Sequence, residues 1–186
     1  MQGIVLTGGQ STRMGADKGL LRSGHQTWAE RAVNLLSTFR IPVAVSINPD
    51  QLLHYAQLFS PDQLIVDDAA LSVGGPLKGI LSAHQRFPTD DLLVLASDMP
   101  DMQPAPIHFL LQQPIADAVL FQQAGRPEAL CGIYRAPALQ QWLLYYADPH
   151  QTNYSLRHAL EQIEPLLLDL PESWRPFFRN VNRPGE

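Results

Sequence analysis

The chain has a single cysteine, no apolar run of the roughly 18 residues that span a bilayer, and fewer positive than negative charges. Each shortage removes a class of function. One cysteine, Cys131, cannot close an internal disulfide, as expected of a reducing cytoplasm. Its setting, Ala129-Leu130-Cys131-Gly132-Ile133-Tyr134, is apolar and strand-like, so a buried structural thiol is expected rather than a reactive one. Met1 leads within two residues into an apolar run, without a basic leader or cleavage site, so neither a secretory signal nor a membrane partner is expected. Lys and Arg number 13 against 18 Asp and Glu, a net charge of −5, which argues against a nucleic-acid backbone as partner. Small anions remain open, because a few cations and backbone amides can hold a phosphate in an acidic protein.

What is present is a globular composition, 45% hydrophobic and 17% charged over 186 residues, enough for a single domain spanning 1–186. The sixteen prolines are scattered among apolar segments and read as loop punctuation. Residues 3–7 form a short apolar run that stops at Gly8-Gly9, as a buried strand does. Thr27 with Glu30 makes a capping box, and Trp28, Ala32, Leu35, Leu36 and Phe39 share one helical face behind it. Strands are then expected at 42–47, 64–66, 92–96, 118–122, 130–134 and 166–168. Helices are expected at 51–59, from Pro76 through His84, and at 107–112, 137–146 and 154–162, followed by an irregular tail. Alternation of this kind predicts an α/β fold of three α-β-α layers, Rossmann-like, with a mostly parallel sheet and helices on both faces. Ligands in such sheets sit beyond the carboxyl ends of strands. The positions to watch are therefore 6–18, Asn48, Asp68 and Asp98.

The segment from Leu6 to Lys18, Leu-Thr-Gly-Gly-Gln-Ser-Thr-Arg-Met-Gly-Ala-Asp-Lys, carries the chemistry. Its glycines let the backbone approach a ligand closely, and successive amides form a concave anion site. Arg13 and Lys18 add two cations at the same mouth. Charge-assisted hydrogen bonds to phosphate contribute about 1.5–3 kcal/mol each, enough to hold a triphosphate. The spacing fits neither a Walker A loop nor the dinucleotide Gly-x-Gly-x-x-Gly pattern.

This segment resembles the signature loop of the molybdenum cofactor guanylyltransferases, within the nucleotidyltransferase superfamily. Asp68, Gly75-Pro76-Leu77-x-Gly79, Ser97-Asp98-Met99-Pro100, Leu130 to Tyr134, Ser155-Leu156-Arg157 and Asn180-Val181-Asn182-x-Pro184 match in the same order. Thr7 departs from the pattern, standing where a small Ala is usual, and residues 123–129 match loosely. The resemblance implies transfer of GMP from GTP to the terminal phosphate of molybdopterin, with Mg²⁺ as cofactor and pyrophosphate as the second product. It implies that the backbone of Leu6, Thr7, Gly8 and Gly9 holds the nucleotide, that Lys18 holds its phosphates, that Asp68 contacts it and that Asp98 ligates the metal. Transient contact with cofactor-delivering or acceptor proteins is a further expectation.

The chemistry asks for the same groups. Bringing two phosphates together is a matter of charge neutralisation and alignment, and Mg²⁺ needs only one or two carboxylates. An already ionised phosphate needs no protein nucleophile. Among other carboxylates, Asp67 and Asp101 read as caps or solvated turns. Asn48 faces the nucleotide or serves as a turn residue before Pro49. Asn180 and Asn182 contact the acceptor or anchor the tail, and Arg157 and Arg179 are further candidates for the acceptor's phosphate. The six histidines lack metal-ligand spacing, and His84 falls on an apolar helical face. Two alternatives stand beside the main reading. One is a cytidylyltransferase, against which Gly9 leaves room for a purine where cytidine-specific relatives carry Ala. The other is a nucleotide-binding module without catalysis, in which Lys18 or Asp98 would be missing.

Overall fold

The computed structural model describes residues 1–7, 17–148 and 150–181. Among the described residues, nine strands and six α-helices follow in chain order: β1 (Gln2–Leu6), β2 (Arg22–Ser23), β3 (Gln26–Thr27), α1 (Trp28–Ser37), β4 (Val43–Ile47), α2 (Leu52–Tyr55), β5 (Leu64–Val66), α3 (Gly75–Arg86), β6 (Leu92–Ala96), α4 (Pro104–Leu111), β7 (Ala118–Gln123), β8 (Arg126–Tyr134), α5 (Ala136–Tyr146), α6 (Leu156–Leu160) and β9 (Leu166–Asp169). Seven strands form one sheet in the order β5-β4-β1-β6-β8-β7-β9, and β2 with β3 make a small hairpin. Pairings β5·β4, β4·β1, β1·β6 and β7·β9 are parallel, while β8 runs antiparallel to both neighbours.

Alternate residues along the buried strands serve opposite cores. On one face Val5, Val45, Leu93, Leu95 and Phe121 pack with α1, α4 and the C-terminal segment. On the other Ile4, Leu6, Ala44, Val94 and Leu120 pack with α3, α5 and α6. This is the three-layer, mostly parallel arrangement expected. The Thr27–Glu30 capping box is formed, with the Thr27 N–H donating to Glu30 Oε2 at 2.7 Å and the Glu30 N–H to Thr27 Oγ1 at 3.2 Å. Among the described residues no helix is long and apolar enough to cross a membrane.

Several local expectations are corrected. The helix expected at 51–59 is a 3-10 turn, Pro49–Gln51, followed by the four residues of α2. The strand at 130–134 begins earlier, at Arg126, and forms a hairpin with β7 through Ala124 and Gly125, both at positive φ. Within the tail expected to be irregular, Glu172–Phe178 is a 3-10 helix whose Phe178 packs edge-on against Phe121, with ring centroids 5.4 Å apart.

Candidate functional site

Four parallel strands, β5, β4, β1 and β6, end at the same edge of the sheet. Their register is continued past each end by backbone bonds: Ser97 N–H to the Leu6 carbonyl (3.0 Å), Thr7 N–H to that of Ser46 (3.1 Å), and Asp67 N–H to that of Ile47 (2.8 Å). Thr7, Asn48, Asp67, Asp68 and Asp98 are thereby gathered from five sequence positions onto one rim. The chain leaves β1 for α1 and β4 on one side and later returns to β6 on the other. The rim at β1 is thus the topological switch point where a ligand crevice forms.

Asp98 sits two residues past β6. Its Oδ2 receives the Lys18 ammonium at 3.4 Å, and both side chains are about three-quarters buried. Its other oxygen, Oδ1, is buried with no hydrogen-bond partner among the described residues. An unpartnered carboxylate oxygen costs free energy unless something else occupies it. A hard cation fits that oxygen. Among the described residues no group of three or more His, Cys, Asp or Glu gathers at a point. A cation held by Asp98 would therefore take the rest of its shell from phosphate and water, as Mg²⁺ commonly does.

The remaining expectations divide. Leu6 and Thr7 are buried at the end of β1, with Thr7 Oγ1 donating to the Ser46 carbonyl at 2.8 Å. Gly8, Gly9, Arg13 and Asn182 lie outside the described residues. Asn48 forms a reciprocal cap with Gln51: its Oδ1 accepts from the Gln51 N–H (3.1 Å) and its own N–H donates to Gln51 Oε1 (2.8 Å). Asp68 Oδ1 accepts from the Ala70 N–H at 2.8 Å, and the Asp68 N–H donates to Ser82 Oγ at 2.9 Å. Asn180 is exposed, and the following Val181 N–H donates to the Asp98 carbonyl at 3.1 Å, so the C-terminal segment returns to the turn that carries Asp98. Arg157 lines, with Arg126, a cavity of ≈ 170 Å³, whereas Arg179 pairs with Asp101 Oδ2 at 3.4 Å. His84 and Cys131 are core residues: burial lowers the His84 pKa and pushes the Cys131 thiol up to about 12.

Asp67 is the residue whose environment the sequence concealed. Burial pushes its carboxyl up to about 6, against the opposing effects of the Ser46 hydroxyl and the Lys78 charge. Ser46 Oγ donates to Asp67 Oδ1 at 3.3 Å, and α3 passes so close that a Cβ on Gly79 would lie 2.5 Å from Ser46 Oγ. Adjacent aspartates look alike in a sequence. Only the direction in which each leaves the strand separates them.

Residues 3–166 match the family described as the MobA-like NTP transferase domain. A probable molybdenum cofactor guanylyltransferase of Chloroflexus aggregans is 32% identical over 199 residues, covering 100% of this chain and 91% of that protein. A molybdenum cofactor biosynthesis bifunctional protein of Synechocystis is 36% identical over 144 residues. That match covers 75% of this chain and 40% of the longer protein, so the chain spans less than half of that relative. The crystal structure of molybdopterin-guanine dinucleotide biosynthesis protein A from Archaeoglobus fulgidus superposes with a TM-score of 0.77 at 21% identity, covering 99% of this chain and 93% of that one. At that identity the superposition speaks for the fold.

Proposed function

The chain belongs to the MobA-like NTP transferase family, and from that premise we propose that it is a cytoplasmic guanylyltransferase acting as a single domain. It transfers GMP from GTP to the terminal phosphate of molybdopterin and releases pyrophosphate. The observation that carries this reading is the Lys18–Asp98 pair at 3.4 Å, at the shared ends of β1 and β6, with Asp98 Oδ1 left unpartnered.

An oxygen of the acceptor phosphate attacks the α-phosphorus of GTP. The new P–O bond forms as the bond to the β-phosphate breaks, and pyrophosphate leaves with the electron pair. The attacking oxygen is ionised, so the protein supplies alignment and positive charge rather than a nucleophile. Lys18 would neutralise the phosphates, and its bond to Asp98 supports that role by holding the ammonium at the rim. The backbone of Leu6 and Thr7, with Gly8, Gly9 and Arg13 beyond, would line the donor side, and Asn48 and Asp68 would contact the nucleoside. Asp98 is the residue that would hold Mg²⁺, which when bound screens the charge shared between donor and leaving group. Asn180, with Asn182 following, would meet the acceptor, since Val181 ties that segment to the Asp98 carbonyl. A silent nucleotide-binding module would be marked by loss of Lys18 or Asp98, and this chain carries both.

Asp98→Ala should abolish pyrophosphate release from Mg-GTP and molybdopterin while the circular dichroism spectrum stays that of the wild type. Release at the wild-type rate would put the metal elsewhere and remove the reading's main support.

A further inference from the structure

The residues that flank positions 8–16, Thr7 and Asp17, meet one side chain. Gln51 Nε2 donates to the Thr7 carbonyl at 3.3 Å on the entry side and to Asp17 Oδ2 at 2.6 Å on the exit side. Its Oε1 is held in turn by the Asn48 N–H at 2.8 Å. One α-helical turn later, the Tyr55 hydroxyl donates to Asp17 Oδ1 at 3.1 Å, and the Gly19 N–H donates to the same oxygen at 2.9 Å. Tyr55 is fully buried, and that burial, with the Asp17 charge beside it, holds its phenol proton well above the ordinary range. It is therefore a fixed donor. The backbone passes so tightly beneath it that a Cβ on Gly19 would run into the Tyr55 hydroxyl.

The residue between Asp17 and Gly19 is Lys18. Asp17 caps the 3-10 turn Lys18–Leu20, whose Leu20 N–H also closes on the Asp17 carbonyl at 3.1 Å. A lysine is a long flexible lever, so the placement of its ammonium depends on how firmly its own backbone is held. We propose that Asp17, gripped by Tyr55 and Gln51, is a positioning residue that fixes the loop's exit and so aims Lys18 at the reacting phosphates. The same Gln51 couples this to the loop's entry at Thr7. The proposal rests on the transferase reading above and adds to it residues from a separate element, 34 and 38 positions away from Asp17.

Loss of aim should appear in turnover more than in binding. Ground-state nucleotide has the loop amides as well as Lys18, whereas charge moving in the transition state depends on the ammonium's position. A misplacement of about 1 Å can cost about 100-fold in rate.

The test uses the full chain with Tyr55→Phe and Asp17→Asn, each also built on Lys18→Ala. Pyrophosphate release with Mg-GTP and molybdopterin gives kcat and KM, and hydrogen exchange without substrates reports the segment 17–21. On that scale kcat should fall roughly 3- to 10-fold in Y55F and roughly 10- to 100-fold in D17N, with KM for GTP within about 3-fold of wild type. On the Lys18→Ala background neither change should lower the residual rate further, and exchange over 17–21 should speed up in both single variants. Wild-type kcat with only a lowered melting temperature would overturn the proposal, as would multiplicative losses on Lys18→Ala or unchanged exchange. An inactive wild type would instead strike the transferase reading, and exchange alone would then decide the clamp.

Discussion

At the scale of single residues, two neighbouring aspartates show what position on a rim does. Asp68 spends one oxygen on a local turn, whereas Asp67 is drawn inward against Ser46 and carries a carboxyl raised to about 6. A raised carboxylate means that the folded state binds its proton more tightly than the unfolded chain does, whose value lies near 3.8. Its ionisation therefore subtracts from stability as pH rises through the window from about 4 to about 6, and the penalty is complete above it. Asp67→Asn should raise the melting temperature at pH 8 and lose that advantage as the pH is lowered to 4. Melting curves across this range would check it, and a constant gap would mean the carboxyl is not displaced. Cys131 and His84, by contrast, were legible as core residues, because an apolar neighbourhood in a strand or on a helical face already specifies burial.

At the scale of elements, local chemistry was legible where it is contained within a few residues. The capping box at Thr27, Pro76 in the first turn of α3 and the apolar strand β6 formed where their patterns placed them. The β7–β8 hairpin was not legible, since nothing in an apolar run states which way the strand points. The missed signal was Ala124-Gly125: Gln123 pairs with Arg126, and both loop residues take positive φ, 50° and 72°. A two-residue turn of that kind favours Asn-Gly, and a left-handed Ala costs about 1–2 kcal/mol. Ala124→Asn should therefore stabilise the protein by up to about 1 kcal/mol. Denaturant unfolding would measure it, and a loss of stability would contradict the assigned turn. The 3-10 segment Glu172–Phe178 escaped for a different reason. Its order comes from Trp174 and Phe178 packing on Phe121, a contact made across more than fifty positions.

At the scale of the whole molecule, function follows from strand order. Because β5, β4, β1 and β6 run parallel, residues far apart in sequence reach a common edge, and Asp98 comes within reach of Lys18 across 80 positions. That edge was legible from strand ends, which single out Asp98, whereas Lys18 was legible from the glycine-rich segment and its resemblance to the family's signature loop. The support behind it was not. Gln51 ends the 3-10 turn after β4 and Tyr55 ends α2, and the pairing of β4 with β1 is what brings them to Asp17. The C-terminal segment also returns to this edge, where Val181 is buried and bonded to the Asp98 carbonyl while Asn180 is exposed.

The central claim is that this rim moves a guanylyl group onto a phosphorylated pterin, and the mass of the product tests it most directly. Incubation of the protein with molybdopterin, Mg²⁺ and GTP, and separately CTP, should yield the acceptor enlarged by one GMP unit, with one pyrophosphate released per product formed. An acceptor of unchanged mass with GTP, or one enlarged by CMP in preference to GMP, would contradict the account.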